Sequence, residues 1–296
     1  MRQQGQNGFM RNTLLPLVLL AQAGFVLRPA QAGTVPPCAQ ESAVPAVVSD
    51  VSGRSELRLD DGRLIRLAGL ELLAAADGQR AAAVAAEIAA WLKGRPVLLR
   101  PLAQKPDRWG RIAVQAFGPL PPGAEAGAPA ALPYINEALA AAGLLRVQPG
   151  AEANDCLARL YEAEAQSREA GFGIWADAAF APVDAADTEA LAGRSGQFTL
   201  VQGQVRRVGQ GRLRTYLDFG QGRGDFSLTV QKRLALRFSR AGKPLEGLAG
   251  QFLRARGIVD TRFGPQIEIS GPEEIEFIDG SVEKALTKPV DKDGGR

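Results

Sequence analysis

The strongest constraint on this chain is a set of short segments in which apolar and polar residues alternate, broken at tight turns. Glu56-Leu57-Arg58-Leu59 alternates, Asp60-Asp61-Gly62 supplies hairpin-turn residues, and Arg63-Leu64-Ile65-Arg66-Leu67 alternates again. Strand residues alternate between faces, so this is the pattern of a half-buried hairpin. Residues 44–52, 97–102 and 111–117 read as further strands, the last two joined by the turn Asp107-Arg108-Trp109-Gly110. Helices are predicted over 77–93 with Gly94 as cap, over 135–142 ending at Gly143, and over 153–170 ending at Gly171-Phe172-Gly173. Residues 118–131, rich in Gly, Pro and Ala, read as a long surface loop.

A second set follows. Strands are predicted at 198–208, 213–219, 226–230, 252–259 and 266–270, with a short helix near 232–239. Three strands, a helix and two strands is the order of a five-stranded OB barrel. The predicted organisation is a first domain over 33–181, an Ala- and Asp-rich linker over 182–194, a second domain over 195–280, and a polar, disordered tail over 281–296.

Composition removes whole classes of chemistry. The 296 residues contain no histidine, which excludes Ser-His-Asp and Cys-His catalysis and histidine metal sites. Two cysteines cannot make a four-thiolate zinc site or an iron–sulfur cluster. Near the start, Arg11 precedes an apolar run from Leu14 to Val26, followed by Ala30-Gln31-Ala32. This is the layout of a signal peptide over 1–32, cleaved near Ala32, so the chain is expected in the periplasm or secreted, with no membrane attachment once the signal is removed. An exported chain with two cysteines is expected to join Cys38 to Cys156. Without the arginines of that leader, 32 bases face 32 acids, so any affinity for nucleic acid must come from local charge.

Residues 44–176 resemble the staphylococcal-nuclease-like (thermonuclease) domain. The carriers are Leu57-Arg58-Leu59-Asp60-Asp61-Gly62-Arg63, Ile65-Arg66-Leu67-Ala68-Gly69-Leu70-Glu71, Asp107-Arg108-Trp109-Gly110-Arg111 and Gly171-Phe172-Gly173-Ile174-Trp175, together with the helix containing Leu160 and Glu162 to Ala165. Residues 195–280 are similar to the OB-like extension of some exported bacterial members. The resemblance implies a mainly β fold with α: two OB-type barrels in tandem, the first a nuclease-like barrel with three helices.

It also implies a chemistry: phosphodiester hydrolysis with a calcium ion held by two acids, a glutamate that activates water, and two arginines on the phosphate. Arg66 and Arg111 fall on the arginine positions, and Glu71 takes the place of one calcium-binding aspartate. Ser55 stands at the other aspartate position and Ala74 at that of the base. Glu56 is not expected to substitute, because neighbouring strand residues face opposite sides. A general base contributes about 10²–10⁴-fold, and Ca²⁺ wants about 6–8 oxygens, so losing both groups removes most of the activity. The implied protein binds phosphodiesters through a degenerate site, with Ca²⁺ as cofactor only if some activity remains. A weak Ca²⁺-dependent nuclease and a structural or protein-binding module of the cell envelope are the alternatives.

The second domain offers a face of its own. Between Arg194 and Arg240 ten bases meet two acids. On the strand at 213–219, Arg214, Tyr216 and Asp218 share one side, and Leu213, Thr215, Leu217 and Phe219 the other. A basic groove with stacking aromatics suits single-stranded nucleic acid or nucleotides, and Arg206, Arg214, Tyr216, Arg262 and Phe263 are its candidate residues.

Overall fold

The computed structural model describes residues 38, 40–73, 78–120, 132–152, 154–222 and 224–278. The expected signal segment, Ala74, most of the loop at 118–131 and the tail from 281 onward lie outside them.

The first five strands are β1 (Val44–Val51), β2 (Leu57–Leu59), β3 (Leu64–Leu67), β4 (Pro96–Pro101) and β5 (Arg111–Phe117). They close into a barrel in the order β1-β2-β3-β5-β4, with β4 returning to β1. Only the β3–β5 pair is parallel. The alternation read from the sequence points inward: Leu57, Leu59, Ile65, Leu67, Val97, Leu99 and Val114 are buried together in one core. Helix α1 (Gly78–Leu92) connects β3 to β4 and buries Ala81, Val84, Ala85, Ile88, Trp91 and Leu92, an apolar stripe at helical spacing.

Helices α2 (Ile135–Ala141) and α3 (Leu157–Glu169) pack on one another, and α2 lies against β5. Asn136 of α2 is fully buried and stitches them to the barrel: its Nδ2 donates to Ala68 O, and its Oδ1 accepts from Ala116 N–H. The α3 helix starts four residues later than predicted. Cys156 precedes it and is joined to Cys38 by a disulfide, Cα–Cα 5.5 Å, while the Asn154 and Asp155 side chains accept from Gln115 Nε2 instead of extending the helix. Two glycines have steric reasons. At Gly69, φ is +80° and a Cβ would meet Leu160 Cδ1 at 2.5 Å. Gly173 lies so close to the Gly143 carbonyl that a Cβ would clash with backbone.

The segment expected to be a linker is built into the second sheet. Strand β6 (Val183–Asp184) pairs in parallel with β7 (Phe198–Gln204), and helix α4 (Thr188–Ala192) is capped by Asp187, which accepts from Ala190 N–H. The remaining strands are β8 (Arg207–Gln210), β9 (Arg214–Asp218), β10 (Ser227–Gln231), β11 (Phe252–Asp260), β12 (Gln266–Ile269) and β13 (Ile275–Phe277), with α5 (Ala235–Arg240) between β10 and β11. The sheet runs β6-β7-β11-β12-β10-β9-β8, with β13 beside β11.

This sheet rolls up because β7 and β8 are two halves of one bent strand. At the bend, Val205 N–H donates to Gln251 O at one end of the sheet, and Arg206 N–H donates to Asp218 O at the other. The parallel pair β10–β12 matches β3–β5. A second core of Leu217, Leu228, Val230, Leu253, Ile267 and Ile269 fills the interior.

Charged groups buried between the barrels join them into one compact unit. Arg256 of β11 is fully buried. Its Nη1 donates to Val147 O (2.7 Å) and to the Glu164 carboxylate of α3 (2.9 Å), and its Nη2 pairs with Glu276. Among the described residues no helix is long and apolar enough to cross a membrane.

Candidate functional site

The first site to test is the outer face of β3 and β5. Their parallel register sets Leu64 opposite Arg111 and Arg66 opposite Ala113. Arg66 and Arg111 therefore share one face, on adjacent strands and two residues apart in register. Each, however, is already occupied. Arg66 Nη2 donates to Glu152 Oε2 at 2.7 Å. Arg111 is only 6% exposed and is gripped by two acids, Glu56 at 2.9 Å and Asp107 at 2.8 Å. On the same face Arg100 binds Asp155 at 2.8 Å. Burial opposes ionisation of Asp107, but hydrogen bonds from Arg111 hold its carboxyl below the usual range. All three guanidinium groups thus face carboxylates of the same chain, which compete with any incoming phosphate.

What sets Glu56 aside is its pairing with Arg111, not strand alternation. Strand β2 begins only at Leu57, and Ser55 sits before it at φ 64°. Residues 55 and 56 lie in a turn, so strand alternation does not apply, and the Glu56 carboxylate reaches Arg111. Ser55 is 2% exposed, and its Oγ has no hydrogen-bond partner among the described residues.

Glu71 does not present a free carboxylate for a cation. It is 4% exposed, and its two oxygens accept from Arg146 (2.8 and 3.0 Å) and Arg80 (2.5 Å). Burial would push its pKa up, but the charges of Arg146 and then Arg80 outweigh this and hold it below the usual carboxylate range. Among the described residues no group of three or more acids or cysteines is placed to hold a metal ion. With Glu71 committed to two guanidinium groups and Ser55 buried, these residues do not fit the implied calcium site.

The second barrel differs. The outer side of β8, β9 and β10 and the turn before β12 enclose an open cleft of about 520 Å³, lined by Arg207, Arg214, Tyr216, Asp218, Asp225 and Phe263 among others. Burial along β9 follows the expected alternation, with Thr215 and Leu217 inside and Tyr216 outside. Tyr216 lies opposite Gly209, where no side chain blocks its ring. Phe263 is 85% exposed and Tyr216 38%. Arg207 and Arg214 pair with Asp218 and Glu268, yet stay 74% and 41% exposed.

Of the five candidate residues in this barrel, three line the cleft: Arg214, Tyr216 and Phe263. Arg206 lies outside it and borders a smaller pocket with Phe219 and Phe252. Arg262 is turned to Asp260, 3.0 Å away. Arg207 is the residue that sequence reasoning left out. It sits across from Asp218 on β8, and the strand at 198–208, read without its bend, gave no sign of that position.

No protein-family model matches this sequence, and no curated protein matches it.

Proposed function

We propose that this chain binds single-stranded nucleic acid or nucleotides through its second barrel and hydrolyses phosphodiesters little or not at all. On this reading the first barrel, of staphylococcal-nuclease-like type, is the support. The observation that carries it is the open cleft in which Tyr216 and Phe263 stand exposed beside two arginines. Exposed aromatic rings lower their free energy by stacking on bases, and arginines track the backbone. The matching face of the first barrel has its arginines neutralised by Glu152, Glu56 and Asp107. The Cys38–Cys156 disulfide supports an exported protein, since such bonds persist in oxidising compartments.

The test is binding of a fluorescent single-stranded DNA oligomer by anisotropy, as a function of salt. Affinity that falls steeply with salt is expected, together with a loss of about 5- to 100-fold in Tyr216→Ala or Phe263→Ala. The absence of salt-dependent binding would overturn the proposal in favour of a structural or protein-binding module. Cleavage of the same oligomer with Ca²⁺, abolished by chelator, would overturn the non-hydrolytic part, and would require Glu71 to leave its two arginines.

A further inference from the structure

We propose that the cleft between the two barrels is a second binding site, for a small organic anion with an apolar body. The cleft measures about 240 Å³ and takes residues from both barrels. Phe180 stands on the first-barrel side, Phe198 and Ile258 on the other, and Arg146 and Arg194 supply the charge. Phe198 and Ile258 are register partners on β7 and β11, so their side chains form one apolar wall. Ile258 is 49% exposed there, a large aliphatic side chain bared in a lining that also holds the buried Arg146.

The charge balance favours an anion. Among the described lining residues Glu71 is the one acid, and Arg146 and Arg80 already hold it. Arg146 is fixed in place: it donates to Phe198 O at 2.9 Å and lies 4.8 Å from the Phe198 ring centroid. Arg194 is different. Its side chain makes no hydrogen bond or ion pair with any described residue, and it is half-buried at the cleft. Glu71 is taken by Arg146 and Arg80, so within the described lining the charge of Arg194 is left unbalanced. A carboxylate or phosphate monoester would accept from Arg194 while its apolar part covers Phe198 and Ile258. The volume, below the range of most drug-sized pockets, sets the ligand small. This cleft is separate from the one proposed for nucleic acid and shares no lining residue with it.

The test is titration of the full chain with 3-phenylpropionate and with phenyl phosphate, following the backbone amides of Gly196 and Gln197 by NMR. Both amides should shift with at least one of the anions. Neutral 3-phenylpropanol and inorganic phosphate should bind about tenfold more weakly or less, lacking the charge and the apolar body respectively. Arg194→Ala should lose about tenfold in affinity, the scale of one charge-assisted hydrogen bond, and Arg194→Lys should recover part of it. Because Arg194 holds no other side chain among the described residues, these variants should leave the fold intact, which an unchanged amide spectrum elsewhere would verify. Silence of both amides with both anions, equal binding of the alcohol, or unchanged affinity in Arg194→Ala would each overturn the proposal.

Discussion

The two barrels share a strand order and a parallel third–fifth pair, yet they treat the same face in opposite ways. In the first, α2 and the loop before α3 cover the outside of β5, and Arg66, Arg100 and Arg111 each meet an acid of the chain. In the second, the outside of β9, β10 and β12 stays open and carries two exposed aromatics. A barrel interior needs only inward apolar residues, which both have. What the outer face does depends on the loops that cross it, and those are free to differ.

The largest expected effect falls on the covered barrel. The Cys38–Cys156 bond spans 118 residues and ties the segment before β1 to the start of α3. Removing it with a Cys38→Ser/Cys156→Ser pair should cost about 4–5 kcal/mol in the chain-entropy picture. Urea unfolding with a probe in each barrel, such as Trp91 for the first, measures this. A loss confined to the first barrel would show the two as separable, and a common loss would show one cooperative unit.

The next effect tests the joint between them. Arg256→Met leaves Glu164 buried with its main cationic partner gone, and should cost about 3–5 kcal/mol. Arg256→Met with Glu164→Gln should recover much of that, because the penalty is the unpaired buried charge. Equal stability of the single and double variants would show that packing, not charge, holds the joint.

A pH series separates the two ends of the joint by sign. Glu274, in the turn whose neighbour Glu273 accepts from Tyr161 of α3, is pushed up by burial to about 7 from an ordinary 4.5. The folded protein keeps this proton between those values and the unfolded chain does not. That stability is fully present below about pH 4.5 and is lost as pH rises through 7, by at most about 3 kcal/mol. Glu71 works the other way: its lowered value gives stability that is present above the unfolded pKa and lost on acidification. Thermal midpoints of wild type and Glu274→Gln at pH 5 and pH 8 should therefore converge at the lower pH and diverge at the higher. Parallel curves would rule out this role for Glu274.

Much of this fold is legible in the residues because strand alternation and turn chemistry are local. The inward set Leu57, Leu59, Ile65, Leu67, and Tyr216 standing outward between Thr215 and Leu217, follow from period two alone. The disulfide follows from having two cysteines and an export-like leader. What is not legible is long-range. The acid on Arg66 is Glu152, 86 residues away in a loop with no periodic pattern. The turn at Ser55 depends on a positive φ that sequence rules assign to glycine or asparagine. Arg80 and Arg146, which take Glu71, come from elements that no motif connects.

The smallest expected effect is also the sharpest comparison between the barrels. If the first barrel's arginines are spent on internal acids, Arg66→Ala should change single-stranded DNA affinity by less than about twofold, whereas Arg214→Ala should weaken it several-fold and reduce the salt slope by about one charge. The asymmetry follows from exposure: the Arg66 side chain is 20% exposed against a Glu152 that is 8% exposed, and Arg214 is 41% exposed against an equally exposed Glu268. A phosphate can displace a solvated carboxylate partner at little cost, because surface ion pairs are worth about 0–1 kcal/mol. Displacing Glu152 leaves its carboxylate largely buried without a cation, and its Oε1 already lacks a partner among the described residues. Glu152→Gln should remove that obstacle. If Arg66→Ala weakens binding as much as Arg214→Ala does, the first barrel is a ligand face after all, and Glu152 moves aside when the ligand arrives.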